Sequence, residues 1–234
     1  MNSLIEGLVA DTLDKLHRDA EASDRDHIEA MMAIIEAPGG SPEQAIAGML
    51  AQERTDYRRV YRDYADNFLA VSPKYGRFLY AIARACKARR IVEFGTSMGI
   101  STIYLAAALR DNGGGHLIGS ELEGAKVMRA RANLATAGLD DLVEIREGDA
   151  LETLKDVGGK VDLLLLDGAF SLYLPVLKML EPRLSAGAAI LGENAFDPAY
   201  QDYVRKAANG YLSRALALDE GRGNEFTVRT ARCC

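Results

Sequence analysis

The stretch that most constrains the fold is Arg90–Ser101, RIVEFGTSMGIS. A short apolar run ends in an acid, Glu93. A turn with glycines at Gly95 and Gly99 follows, and then a helix start. A second apolar run, His116–Ser120, ends in another acid, Glu121. The pattern continues down the chain. Ile91–Phe94, Leu117–Ser120, Val143–Arg146, Val161–Leu166 and Ala188–Leu191 read as strands. Helical segments fall between them, near Ile100–Arg110, Gly124–Ala137, Ala150–Leu154 and Leu172–Leu184. Strand–helix alternation implies a parallel sheet with crossover helices on both faces. Leu163–Asp167, LLLLD, has the unbroken apolar character of a central strand buried on both faces. The end differs: Ser213–Leu218 and Phe226–Arg229 flank Gly221–Asn224, GRGN, as an antiparallel hairpin would.

The part before about Leu69 reads as helices. Ile5, Leu8, Val9, Leu13 and Leu16 recur at helical spacing. A second helix is expected over Arg25–Glu36, stopping at Gly39-Gly40. Ser41-Pro42-Glu43-Gln44 then signals a new start, with Ser41 as cap, Pro42 at the first helical position and Gln44 able to reach back. That pattern runs towards Leu69. Val71-Ser72-Pro73 interrupts it, because proline disfavours helix in the residue before it, and Phe78–Ala88 reads as one more helix. We therefore expect a helical extension over residues 1–70, acting as a cap or a dimer surface, and an α/β domain over 71–234.

With 234 residues, the chain is long for one domain and short for two. No apolar run approaches the roughly 20 residues that span a membrane. The start, MNSLIEGLVADTLDKLHRDA, mixes charges throughout and lacks a cleavage site, so it does not read as a signal peptide. Three cysteines, with Cys233-Cys234 adjacent and Cys86 alone on a helix, form no disulfide framework. A cytoplasmic enzyme is the expectation. A net charge of −6 argues against bulk electrostatic binding of nucleic acid. His17, His27 and His116 are scattered without zinc-ligand spacing. Arg54–Phe68, RTDYRRVYRDYADNF, interleaves arginine with aromatics. Tyr57, Tyr61, Tyr64 and Phe68 share one helical face and Arg54, Arg58 and Arg62 another. That favours a packed helix with a solvated basic edge over a base-stacking surface, and it is compatible with a cap over an acceptor.

In an open α/β sheet, ligands sit beyond the carboxyl ends of the strands. Every strand end here is polar: Glu93, Glu121, Gly148-Asp149, Asp167 and Glu193-Asn194. The turn is Gly95-x-x-x-Gly99, without the G-x-G-x-x-G that admits a pyrophosphate, so a dinucleotide dehydrogenase is disfavoured. S-adenosylmethionine (SAM) has no phosphate. Acids suit its cationic end, helix N-terminal amides its carboxylate, and an acid after the second strand its ribose diol. The set points to SAM and methyl transfer.

From about Val71 to Arg229 the chain resembles the O-methyltransferases akin to the catechol and caffeoyl-CoA enzymes. The resemblance rests on VEFGTSMGISTIYLA, on IGSELEGAKVMRARANLATAGLDDLVEIREGDALETL, on DLLLLDGAFSLYLPVLKMLEPRLSAGAAILGEN and on the closing hairpin. It implies a Rossmann-like, seven-stranded sheet with the last strand antiparallel, SAM as donor, and commonly a divalent metal such as Mg²⁺ and a homodimer. By the same resemblance Glu93 and Gly95 line the methionine end, Ser101 contacts the carboxylate and Glu121 the ribose. Asp149 and Ala150 border the adenine, and Val71, Ser97 and Gly99 join the cofactor-binding set. Asp167 lies near the sulfonium, is the expected catalytic residue, and would bind metal with Glu193 and Asn194.

Two departures stand out. The family's Asp-x-x-Lys supplies a proposed general base, whereas Asp167 is followed three positions on by Phe170. The family's metal pair is usually Asp-Asn, whereas here it is Glu193-Asn194. Substitute bases suggested by position are Tyr173, Asp197, Tyr200, Lys74 and Tyr75. The expected reaction is O-methylation of a small hydroxylated, aromatic acceptor. The alternatives are a SAM-binding enzyme of the same fold, without the lysine base and independent of metal, that acts on nitrogen or carbon or has a non-methylating role, and a non-catalytic interaction protein.

Overall fold

A computed structural model describes residues 3–5, 7–37, 40–219 and 223–230. Its sheet has seven strands: β1 (Arg90–Phe94), β2 (His116–Glu121), β3 (Val143–Glu147), β4 (Val161–Leu166), β5 (Leu184–Gly192), β6 (Tyr211–Ala215) and β7 (Glu225–Arg229). Their order is β3-β2-β1-β4-β5-β7-β6. The first five run parallel, and β7 slots antiparallel between β5 and β6. The expected sheet with its antiparallel end is therefore present. Gly221 of the closing turn lies outside the described residues.

Alternation along the central strands decides which layer each side chain joins. Ile91, Leu163 and Leu165 face one layer, packed against α3 (Pro73–Ala85), α4 (Ile100–Asp111) and α5 (Gly124–Ala137). Val92, Leu164 and Leu166 face the other, with α6 (Ala150–Thr153), α7 (Tyr173–Leu180) and α8 (Pro198–Arg205). Burial on both faces explains the unbroken LLLL of β4.

The N-terminal helices differ from expectation. One continuous helix, α1 (Leu8–Glu36), replaces the two expected. Its buried stripe runs Val9, Thr12, Leu13, Leu16, Ala20, Asp24, so a small and a charged residue carry it where apolar ones end. Asp24 is buried because its carboxylate accepts the Phe68 N–H at 2.7 Å. The start of α1 joins the same core cluster as α4 and α5. Helix α2 (Pro42–Arg62) begins as expected, with Ser41 Oγ accepting the Gln44 N–H at 3.2 Å. It kinks at Asp56, whose backbone leaves the helical region.

Smaller corrections have local causes. Val71-Ser72-Pro73 starts α3, since Ser72 Oγ accepts the Tyr75 N–H at 3.0 Å and proline suits the first turn. The helix expected from Leu172 is shortened to α7 by a 3₁₀ turn at Phe170–Leu172 and another at Glu181–Arg183. Strand β5 begins at Leu184 rather than Ala188, and β6 ends at Ala215 rather than Leu218.

Candidate functional site

Two adjoining chambers open at the carboxyl edge of the sheet. The first is walled by the turn after β1, the ends of β2 and β3, and the 68–71 segment. Gly95 makes the turn possible. Its φ is +94°, and a Cβ there would lie 2.1 Å from the Asp167 carbonyl oxygen. Only glycine lets the β1 turn lie against the end of β4. The Asp167 N–H completes the join by donating to the Phe94 carbonyl at 2.8 Å.

Of the residues expected to bind the donor, Val71, Gly95, Ser97, Ser101, Glu121, Asp149, Ala150 and Asp167 line this chamber. Glu93 and Gly99 do not. Glu93 is 0 % exposed and sits behind the wall. Ser101 Oγ donates to it at 2.7 Å, Thr102 Oγ1 at 2.6 Å and Thr96 Oγ1 at 3.0 Å. Burial pushes its carboxyl up, and the three hydroxyls oppose that rise. Glu93 therefore fixes the turn and the first turn of α4. Gly99 is the left-handed cap of α4 and lies close against Ala130 of α5.

Glu121 is held by the Ser97 N–H at 2.6 Å and the Glu123 N–H at 2.9 Å. Burial raises its carboxyl, against the pull of those amides and of Lys126. Lys126, only 3 % exposed, also lines the chamber. Burial lowers its ammonium, while Glu121 opposes the loss of charge. Sequence reading missed Lys126; a lysine on the otherwise apolar Val127–Ala130–Leu134 face of α5 is its signal. Asp149 caps α6 through the Leu151 N–H at 3.0 Å. Its other oxygen accepts the Tyr57 hydroxyl at 2.6 Å and the Arg58 guanidinium at 2.5 Å. Burial would raise this carboxyl, but the Arg58 and Tyr57 contacts hold it below its ordinary range.

The second chamber, of about 390 Å³, lies between the N-terminal helices and the ends of β4 and β5. Ile28, Met31 and Ile35 of α1 and Ile46, Met49 and Val60 of α2 supply apolar walls. Asp167, Glu193 and Asn194 line its floor. Tyr61, Leu69, Ala70, Asp167 and Gly168 line both chambers and form the partition. Phe170 packs edge-on against Tyr173 and Phe196, with ring centroids 6.0 and 5.8 Å away.

Asp167, Glu193 and Asn194 offer two carboxylates and an amide oxygen to one chamber, a donor set suited to a hard divalent cation. Among the described residues, no group of three or more His, Cys, Asp or Glu is placed to hold a metal. A cation here would depend on the Asn194 amide.

The substitute bases suggested by sequence position line neither chamber. Tyr75, Tyr173 and Tyr200 are fully buried, and burial pushes all three phenols up. Asp197 caps α8 and pairs with Arg54 at 3.0 Å. Lys74 faces outward. The arginines of α2 form the expected solvated edge, and two of them, Arg54 and Arg58, also reach acids of the sheet domain. Glu53 of α2, which sequence reading passed over, lines the second chamber at 1 % exposure.

A sheet of this order, with two chambers meeting at its carboxyl edge, defines a class I methyltransferase architecture. Comparison with known proteins agrees. A family described as a methyltransferase domain matches residues 92–195. The catechol O-methyltransferase of Niastella koreensis is 32 % identical over 166 residues, covering 64 % of this chain and 73 % of its own length. That of Mycobacterium tuberculosis is 41 % identical over 100 residues, 42 % of this chain and 44 % of its own. The O-methyltransferase TomG from Streptomyces achromogenes, solved in complex with SAM, superposes with a TM-score of 0.62 at 25 % identity, over 78 % of this chain and 90 % of that one. The chain belongs to the SAM-dependent O-methyltransferases related to the catechol and caffeoyl-CoA enzymes.

Proposed function

We propose that this enzyme transfers the methyl group of SAM to a hydroxyl of a small aromatic acceptor. The observation that carries the reading is the shared partition: a smaller chamber carrying Glu121 and Asp149 and a larger chamber under the N-terminal helices meet at Asp167 and Gly168. SAM supplies an electrophilic methyl on a sulfonium. The chain's own task is alignment and charge placement. Asp149 and Glu121 face the nucleoside end, and Asp167 places a carboxylate at the junction. The Ile and Met walls of the second chamber take the apolar body of the acceptor and exclude water. A divalent cation held by Asp167, Glu193 and Asn194 would favour the ionised form of a phenol. Residues 1–70 act in this reading as the acceptor cap.

Calorimetry with S-adenosylhomocysteine (SAH), followed by turnover of catechol with SAM and Mg²⁺, tests the proposal. Binding with a methyl ether as product supports it. Absence of SAH binding would overturn it. SAH binding with no methylated product from a panel of phenols would move the acceptor to another class.

A further inference from the structure

We propose, building on the methyl-transfer reading, that Glu53 of the N-terminal cap is the proton acceptor for the substrate hydroxyl. The position where the family carries lysine holds Phe170, and its ring is packed between Tyr173 and Phe196. A phenol with an ordinary pKa near 10 still has to lose its proton at neutral pH. Glu53 of α2 lines the acceptor chamber beside the turn that carries Phe170.

Its setting is built. Glu53 Oε2 accepts the Ser171 N–H at 2.8 Å, which ties α2 to the turn carrying Phe170. Glu53 Oε1 accepts the Tyr61 hydroxyl at 3.0 Å, and that hydroxyl also lies 3.3 Å from the Gly168 carbonyl oxygen. Tyr61 stands in the partition, so Glu53 is two hydrogen bonds from the point where the chambers meet. The Ser171 hydroxyl and the Phe170 amide also lie close to this carboxylate, whose two oxygens together offer about four acceptor positions. Besides Tyr61, the other titratable groups around the chamber are Asp24 and His27 of α1, Tyr64 beyond α2, and Asp167 and Glu193 at the strand ends. Burial raises the Glu53 carboxyl, while the Ser171 amide and Tyr61 hydroxyl hold that rise back. A raised carboxyl is a stronger base than an ordinary one. Burial also keeps Tyr61 protonated, so it serves as a donor that positions Glu53.

In the step, the acceptor O–H bond breaks and its proton moves to a Glu53 oxygen. The freed oxygen pair forms the O–C bond to the methyl carbon as the methyl–sulfur bond breaks, leaving that pair on sulfur. The products are the methyl ether, SAH and protonated Glu53, which returns its proton to water.

The test compares wild type and Glu53→Gln on catechol and on the more acidic 4-nitrocatechol. Glutamine keeps an acceptor for the Ser171 N–H, and SAH affinity reports that the fold is intact. General-base removal is expected to lower kcat on catechol by about 100-fold, with KM and SAH affinity little changed. On 4-nitrocatechol, which ionises unaided, the deficit is expected to shrink to about 3-fold, a fraction of the usual base contribution. Equal losses on both phenols, or no loss on either, would overturn the role of Glu53 while leaving the methyltransferase reading intact. Absence of wild-type SAH binding would overturn both. A measurement free of the variant is the visible spectrum of 4-nitrocatechol bound to the wild-type SAH complex in EDTA, below the ligand's own pKa. The phenolate band supports the proposal, and bound neutral phenol overturns it.

Discussion

The two chambers are built by different means. The polar wall of the donor chamber is built at strand ends, with Gly95 and Ser97 after β1, Glu121 closing β2, Asp149 after β3 and Asp167 after β4, while α2 and the 68–71 segment close its other side. The acceptor chamber takes its far wall from the N-terminal helices, docked on the sheet domain by side-chain contacts that span 91 to 143 residues. Glu53 reaches Ser171, Tyr57 and Arg58 reach Asp149, and Arg54 reaches Asp197. One wall is fixed by backbone geometry, and the other by a row of polar tethers across a kinked helix. Damage to the first should abolish binding, and damage to the second should tune it.

Gly95→Ala attacks the first wall and is expected to have the largest effect. The added Cβ would meet the Asp167 carbonyl at 2.1 Å from a residue already at positive φ. Backbone must move, at a cost of roughly 1–3 kcal/mol for the conformation alone. Calorimetry should show SAH binding lost altogether. A variant that binds SAH normally would show that the β1–β4 contact does not organise the chamber.

Glu93→Gln probes the same wall from behind. The carboxylate accepts three hydroxyls, and an amide can accept at only one of its two heavy atoms. At least one buried hydroxyl loses its acceptor, which costs about 1–3 kcal/mol. Thermal denaturation should show a lowered Tm, with residual SAH binding. An unchanged Tm would mean that the acid is a ligand contact and not a strut.

Tyr57→Phe tests the tethered wall. It removes the hydroxyl that Asp149 accepts at 2.6 Å and leaves the ring in place. One hydrogen bond to a charged group is worth about 1.5–3 kcal/mol when intact, but Arg58 remains to share Asp149. A weakening of SAH binding by only a few-fold, seen mainly in its dissociation rate, is expected. Complete loss would place the cap among the structural supports of the donor chamber.

The same contrast explains what could be read from the chain. Strand ends and glycine turns are local, so Glu121, Asp149 and Asp167 could be placed from spacing alone, and all three line the donor chamber. Glu93 follows the same pattern yet turns away, because three neighbouring hydroxyls satisfy it within the turn. The cap was harder to read. A second helix is expected from Arg25, whereas α1 runs straight through, and Asp24 is a buried link to Asn67 and Phe68. Glu53 sits with Leu50 on a buried stripe, where an acid has no local reason to be. Its reason is Ser171, 118 residues away.

The smallest expected effect concerns pH and stability. Burial raises the Glu53 carboxyl above the ordinary glutamate value of 4.5. The folded protein therefore holds this proton more tightly than the unfolded chain does. Stability from protonated Glu53 is fully present below pH 4.5 and is lost as pH rises through the folded-state value. Glutamine cannot titrate, so Glu53→Gln removes this one slope and leaves those of Glu93 and Glu121, which are raised in the same direction. Urea melts between pH 4 and 7, run with SAH to hold the donor wall constant, should show wild type losing stability relative to Glu53→Gln as pH increases. A difference that is flat across the range would mean that folding leaves the Glu53 carboxyl unraised, because the hydrogen bonds from Ser171 and Tyr61 fully offset its burial.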